Sequence, residues 1–333
     1  MRIKARFAIA DPADGVLTRA RKRLFYRQVP KFPRAVQIQT RTGCNADCVW
    51  CPYGETFPTQ AKGTMEWGLF ERIVEECARH KVRRISPYLM NEPFLDRDLP
   101  KKIAFIHEHC PSAKVVVTTN GSMLRPDVVK EILDLGPALR ALYISFQGID
   151  KESYEATMRG RMQFEQTLEH VHYLVDEMKR RQASYPEVWI TMVDTNIIDA
   201  KKAVKYWQSR GVRSKYTTLE NRGGNIKDAE SLAHTKMEYY STCTRLMKQA
   251  YILFNGDLVI CCTDYARQMV IGNCATSSVR EVWNGPVAVG FRRAYLAKRF
   301  EELELCKVCK VDKVREVEVL PWKEPKPAVG API

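Results

Sequence analysis

Six segments rich in β-branched and aromatic residues, at 35–39, 84–89, 114–118, 142–146, 187–193 and 212–219, alternate with helical patterns. This alternation limits the possible folds more than any other feature of the chain. Leu69, Phe70, Ile73, Val74 and Cys77 fall on one stripe at helical spacing, and Phe164, Leu168, Val171, Leu174 and Met178 on another. Strand–helix units of about thirty residues point to parallel strands joined by helical crossovers. Six units are two short of a closed eight-fold barrel. The expected fold is therefore α/β, a partial (β/α)6 TIM-like barrel over 35–235.

The pattern changes after residue 235. Segments 251–254 and 258–261 flank Asn255-Gly256, a pair suited to a tight primed turn, and read as a β-hairpin. Helical patterns at 279–283 and 287–300 follow, so 236–320 is expected to form a small α+β domain. Residues 1–34 read as an extension whose basic helix, over 16–28, stops before Pro30 and Pro33 and packs on the domain surface. A Pro-rich tail over 321–333 is expected to be flexible.

Hydrophobic content of 45% and charged content of 28% suit a water-soluble globular chain. No apolar run approaches the roughly 20 residues that span a bilayer. Residues 1–27 are punctuated by Arg and Lys, unlike a secretory signal, which points to a cytoplasmic protein without a membrane partner. The net charge of +14 favours acidic proteins, nucleic acid or anionic substrates. No appended RNA-binding module is visible, which argues against nucleic acid.

Eleven cysteines in a reducing compartment suggest metal ligation over disulfides. Cys44, Cys48 and Cys51 form one group after the first strand, on the face where barrel active sites are built. Three thiolates at this spacing can hold three irons of a cubane and leave the fourth open to chemistry. Structural zinc, the alternative, favours four ligands. In the second group, Cys243, Cys261, Cys306 and Cys309 give four thiolates and a closed site. Adjacent strand residues point to opposite faces, so Cys261, selected by Gly256-x4-Cys261, is preferred to Cys262. Zinc is the alternative here too, and Cys274 is a substitute ligand.

The Cys44-x3-Cys48-x2-Cys51 motif, with Trp50 before its last cysteine, resembles the defining motif of the radical S-adenosylmethionine (SAM) superfamily. The resemblance covers 35–220. It implies a [4Fe–4S] cluster whose open iron is chelated by SAM, reductive cleavage of SAM to a 5′-deoxyadenosyl radical, and hydrogen abstraction from a substrate. Residue by residue, it implies that Asn91 and Glu92 lie near the SAM amino group and Thr119 near the ribose. It likewise places Ser145 and Arg159 at the carboxylate and Trp50 against adenine. Gln147 stands where many relatives carry an acid.

The second group resembles the auxiliary-cluster domains called SPASM, in the shortened single-cluster form termed twitch, and implies one auxiliary [4Fe–4S]. Its spacing is similar to that of dehydrogenases that oxidise an aminocyclitol alcohol to a ketone. Arg222, in the loop after the sixth strand, is a candidate to support a ketyl-like oxygen. An epimerase needs instead a hydrogen-donating thiol, for which Cys262 and Cys274 are the candidates. A peptide substrate would require a separate recognition protein, since residues 1–34 are too short for a leader-binding module. Substrates in view are thus small molecules or peptides, with an acidic flavodoxin or ferredoxin as electron donor. An RNA-modifying enzyme and a non-catalytic zinc protein are the readings from other classes.

Overall fold

The computed structural model describes residues 29–239 and 243–312. The expected helix at 16–28 and the tail at 321–333 lie outside the described residues. β1 (Ala35–Ile38), β2 (Arg84–Ser86), β3 (Lys114–Thr119), β4 (Ala141–Ser145), β5 (Glu187–Asp194) and β6 (Arg213–Thr218) run parallel and pair in chain order. Between them lie α1 (Trp67–Arg79), α2 (Leu99–His109), α3 (Pro126–Asp134), α4 (Lys151–Met158), α5 (Phe164–Arg181) and α6 (Ala200–Ser209). This is the partial barrel that the alternation predicts.

Each strand has two faces with different fates. Leu142, Ile144, Ile190 and Met192 are buried towards the helices, where Phe146 packs edge-on to Trp207 at 5.3 Å between ring centres. The register sets Thr118 beside Tyr143, Tyr143 beside Trp189, and Thr191 beside Lys215 on the opposite, inner face. These inner residues are only half-buried. A closed barrel fills its interior with branched side chains; this one keeps an open chamber.

The sheet does not stop at residue 235. β7 (Glu238–Tyr239) stands apart, but β8 (Gln249–Ile252) pairs parallel with β1 on the side away from β2. β9 (Asp257–Val259) and β10 (Val270–Asn273) add antiparallel strands beyond it. α7 (Val279–Asn284), opened by a Ser278–Glu281 capping box, and α8 (Pro286–Leu296) follow. The expected hairpin is present, extended by a third strand and fused to the barrel sheet.

At the far edge, the last segment docks on the residues just beyond the end of β6. β11 (Lys310–Val311) pairs with β7, and Asn221 exchanges hydrogen bonds with Lys310 and donates Nδ2–H to the Val308 carbonyl at 2.7 Å. Gly223, at φ +65°, sits where a Cβ would fall 2.3 Å from Leu305 Cδ1. Glu220 accepts two hydrogen bonds from Arg245, at 2.5 and 2.8 Å, and so ties the end of β6 to the start of β8. Glu220→Ala removes the main counter-charge of a largely buried guanidinium. We expect it to cost roughly 1–3 kcal/mol, read as a lower thermal midpoint of the iron-loaded protein.

Candidate active site

The loop after β1 carries Cys44, Cys48 and Cys51, and the end of α4 holds it in place. Asp47 and Val49 donate backbone N–H bonds to the Met158 and Thr157 carbonyls, and Arg161 N donates to the Asn45 carbonyl at 3.0 Å. Met158 Sδ is 3.9 Å from Cys48 Sγ. Burial, with the Glu92 carboxylate and Cys51 close by, pushes the Cys44 thiol up to about 12. Burial and its two partner cysteines raise Cys48 well above the ordinary thiol value. Such thiols ionise near neutral pH only when a bound metal displaces their protons to solvent.

Cys243, Cys261, Cys306 and Cys309 form a second group. Burial, then the charge of Cys261, pushes Cys306 and Cys309 up to about 12. Among the described residues no three His, Cys, Asp or Glu side chains converge as one metal ion requires. A cluster that gives each thiolate its own iron fits this spread better than a zinc about 2.3 Å from every sulfur. Buried hydroxyls without an acceptor stand at both groups: Tyr53 beside Cys44 and Cys51, and Tyr295 beside Cys243 and Cys306. Each is a donor placed where cluster or ligand sulfur can accept.

Between the two groups lies a polar wall. Tyr265 Oη is 3.5 Å from Cys51 Sγ, and Gln60 Nε2 donates to the Tyr265 carbonyl. Arg222, at φ +51° and 3.7 Å from Glu220, lies within electrostatic reach of Tyr265, Cys262 and Cys51. Cys262 is held down to about 7 by its hydrogen bond with Cys261 and by Arg245 and Arg222. Arg222 and Cys262, candidates for two different reactions, therefore come together. β9 ends at Val259, however, so strand alternation does not reach Cys261 and Cys262. A turn separates the roles: Cys261 faces the other three thiols, and Cys262 faces the arginines.

Other expectations need correction. Cys274 is buried in a core group with Cys77 and Cys110, its amide bonded to the Gly256 carbonyl, away from Cys262 and Arg222. It can serve neither as hydrogen donor nor as substitute ligand. Trp50 is 5% exposed and packed into the core, so its ring offers adenine no open face. Thr119 is also buried, and its hydroxyl spends its only hydrogen on Glu92 at 2.6 Å while accepting from Gly121 N, so it has no proton to donate to a ribose. Glu92 spends three acceptor positions on Thr119, Asn120 N and Phe94 N, and keeps one on Oε2. Burial pushes its carboxyl up to about 7, which suits a site awaiting a cation.

The remaining candidates are open. Asn91 accepts from Leu89 N, while its Nδ2 is buried without a partner. Gln147 donates to Ser145 Oγ at 3.1 Å and accepts from Val193 N at 2.9 Å. An acid there could not donate, which explains the amide and leaves the Ser145 hydroxyl hydrogen for a ligand. Exposed Arg159 lines a groove of about 300 Å³ with Cys51, Glu55 and Lys227. Tyr53, Tyr265, Glu220, Arg245 and Tyr295 were missed, because no spacing in the sequence relates them to the cysteines.

Residues 38–193 match the family described as the Radical SAM superfamily, and residues 243–310 match SPASM, described as an iron–sulfur cluster-binding domain. Residues 38–193 are thus a radical SAM domain followed by a C-terminal SPASM domain, and the chain is an enzyme that uses SAM and [4Fe–4S] clusters. It is 20% identical over 275 residues to the S-adenosyl-L-methionine-dependent 2-deoxy-scyllo-inosamine dehydrogenase of Niallia circulans, covering 82% of this chain and 91% of that protein. The structure of BtrN in complex with AdoMet and 2-DOIA aligns at TM-score 0.57 and 18% identity, over 88% of this chain and 96% of that one. Streptococcus suis SuiB bound to precursor peptide SuiA aligns at TM-score 0.63 and 15% identity, over 88% and 75%. At these identities the two structures speak for the fold alone. No helix among the described residues is long and apolar enough to cross a membrane.

The strap on the first loop gives a direct test. Gly160, at φ +72°, lies where a Cβ would fall 2.9 Å from Asn45 O and 3.0 Å from Asp47 N. Gly160→Ala should push the loop off α4 and empty one cluster site. Iron content should fall from about eight to about four per chain, with the SAM-responsive electron paramagnetic resonance (EPR) signal lost and the other retained.

Proposed function

We propose that the chain oxidises a secondary alcohol of a sugar or aminocyclitol to a ketone, between a SAM cluster on Cys44, Cys48 and Cys51 and an auxiliary cluster on Cys243, Cys261, Cys306 and Cys309. The observation that carries this reading is one polar wall, Tyr265–Arg222–Cys262, that touches the first cysteine group at one end and adjoins the second at the other. When bound, SAM at the first cluster supplies the 5′-deoxyadenosyl radical that takes the carbinol hydrogen, and the auxiliary cluster supplies an acceptor for the remaining electron.

The chain's own residues do the rest. Asn91 Nδ2, the free lone pair of Glu92, the Ser145 hydroxyl and Arg159 hold the polar ends of SAM. Arg222 faces the substrate oxygen and stabilises the negative charge left there as the O–H proton passes to solvent water and the electron to the auxiliary cluster. The dehydrogenase relative supports the choice of reaction. An acidic flavodoxin or ferredoxin, drawn to a chain of net charge +14, delivers the reducing electron.

A second reading rests on Cys262, a thiol outside the four-sulfur group that faces the same wall. As a hydrogen-atom donor it would make the reaction an epimerisation. Deuterium labelling at the carbinol carbon separates the two. A dehydrogenase transfers one deuterium into 5′-deoxyadenosine for each ketone formed, and Cys262→Ala still forms ketone. An epimerase run in D2O returns deuterium to carbon, and Cys262→Ala then stops turnover while deoxyadenosine is still released. Deoxyadenosine that never gains substrate deuterium contradicts both readings.

A further inference from the structure

On the inner face of the barrel stand two cations, Lys215 and Arg84, that no acid among the described residues answers. Lys215 Nζ lies 4.7 Å from the Tyr143 ring centre and 5.4 Å from that of Trp189. Ring faces are the only partners the described residues give it, and burial lowers its pKa without any compensating acid. Arg84 donates Nη2–H to Gln249 at 3.1 Å, but its Nε is buried without a partner. The register sets both on the chamber side: Arg84 pairs with Lys114, two positions before Val116, and Lys215 pairs with Thr191. Glu187, the acid on this face, is already held by Arg140 at 2.5 Å and by Arg213 at 3.5 Å.

Tyr88 links this floor to the candidate active site. Its hydroxyl meets Thr118 Oγ1 at 2.7 Å, and it lies within electrostatic reach of Arg84, Tyr143 and Cys262. Tyr88 therefore stands between the Cys262 wall and both cations, reaching Arg84 directly and Lys215 through the Tyr143 ring. A partly desolvated cation that lacks a counter-charge is costly to keep, and a bound anion offsets the cost.

We infer that Lys215 and Arg84 form an anion subsite on the chamber floor, so that the substrate is a polyol carrying a phosphate or carboxylate at the end remote from the oxidised carbon. This rests on the proposed alcohol oxidation and narrows its substrate class. The floor repels an ammonium, so an unmodified aminocyclitol is a poor fit, whereas a sugar phosphate or sugar acid sets its anion on Lys215.

The bare groups test this without knowledge of the substrate. The SAM-loaded holoenzyme is titrated with inorganic phosphate and, separately, acetate, and its crystals are soaked in each. Saturable binding with density between Lys215 Nζ and Arg84 is expected, and the stronger ligand identifies phosphate or carboxylate. Lys215→Met should weaken binding at least tenfold at unchanged iron content, and Lys215→Arg should restore it. Density elsewhere, equal binding by Lys215→Met, or saturation by neither anion overturns the subsite. Deoxyadenosine release by the wild-type enzyme is scored separately: release without anion binding sinks the subsite alone, and binding without release sinks the radical reading.

Discussion

The carboxylate of Glu220 stands at the one place where an open barrel has to be closed. A six-stranded parallel sheet leaves β6 as a raw edge, and an exposed edge invites wrong pairing. Here the loop after β6 turns inward and Glu220 takes both arms of Arg245, which lies two residues beyond Cys243. Asn221 and Gly223 dock the Cys306–Cys309 segment on the same loop. Docking that segment and assembling the second thiol group are thus one act. The pair is worth more for this geometry than for its Coulomb energy, since desolvating two charges consumes most of that gain.

The first thiol group depends on backbone contacts instead. Three backbone hydrogen bonds with the end of α4 and the turn after it fix the loop that carries Cys44, Cys48 and Cys51, and Gly160 lets the two segments approach. Reactive groups held by backbone bonds to a helix end keep their spacing when a ligand arrives. The opposite wall of the chamber comes from the loop around Tyr265, so the two thiol groups share an interior and neither faces bulk water alone.

Much of this was legible in the sequence because the signals were periodic or local. The six strands stand out since they are rich in β-branched and aromatic residues and alternate with helical stripes, and the cysteine spacings are short-range chemistry. What failed was long-range. Trp50 reads as a ligand platform beside a cysteine motif, yet the core claims it. Thr119 reads as a ribose contact, yet it is consumed in fixing Glu92. Cys274 and Cys262 look equivalent along the chain, and only folding sends one into the core and the other to the chamber. Gln147 made no sense until Val193 and Ser145 appeared on either side of it. The open lumen was invisible, because half-burial of Tyr143, Trp189 and Lys215 depends on what is missing opposite them.

The central claim is that two chemically distinct iron sites coexist in one chain, one with an open iron and one fully held by thiolates. Mössbauer and EPR spectra of protein reconstituted anaerobically with 57Fe, recorded before and after SAM is added, test it most directly. The account predicts about eight irons in two cubanes. SAM should alter the spectrum of one cubane only, and alanine at Cys306 and Cys309 should remove the other. Zinc in place of iron, or two cubanes that both ignore SAM, would contradict it.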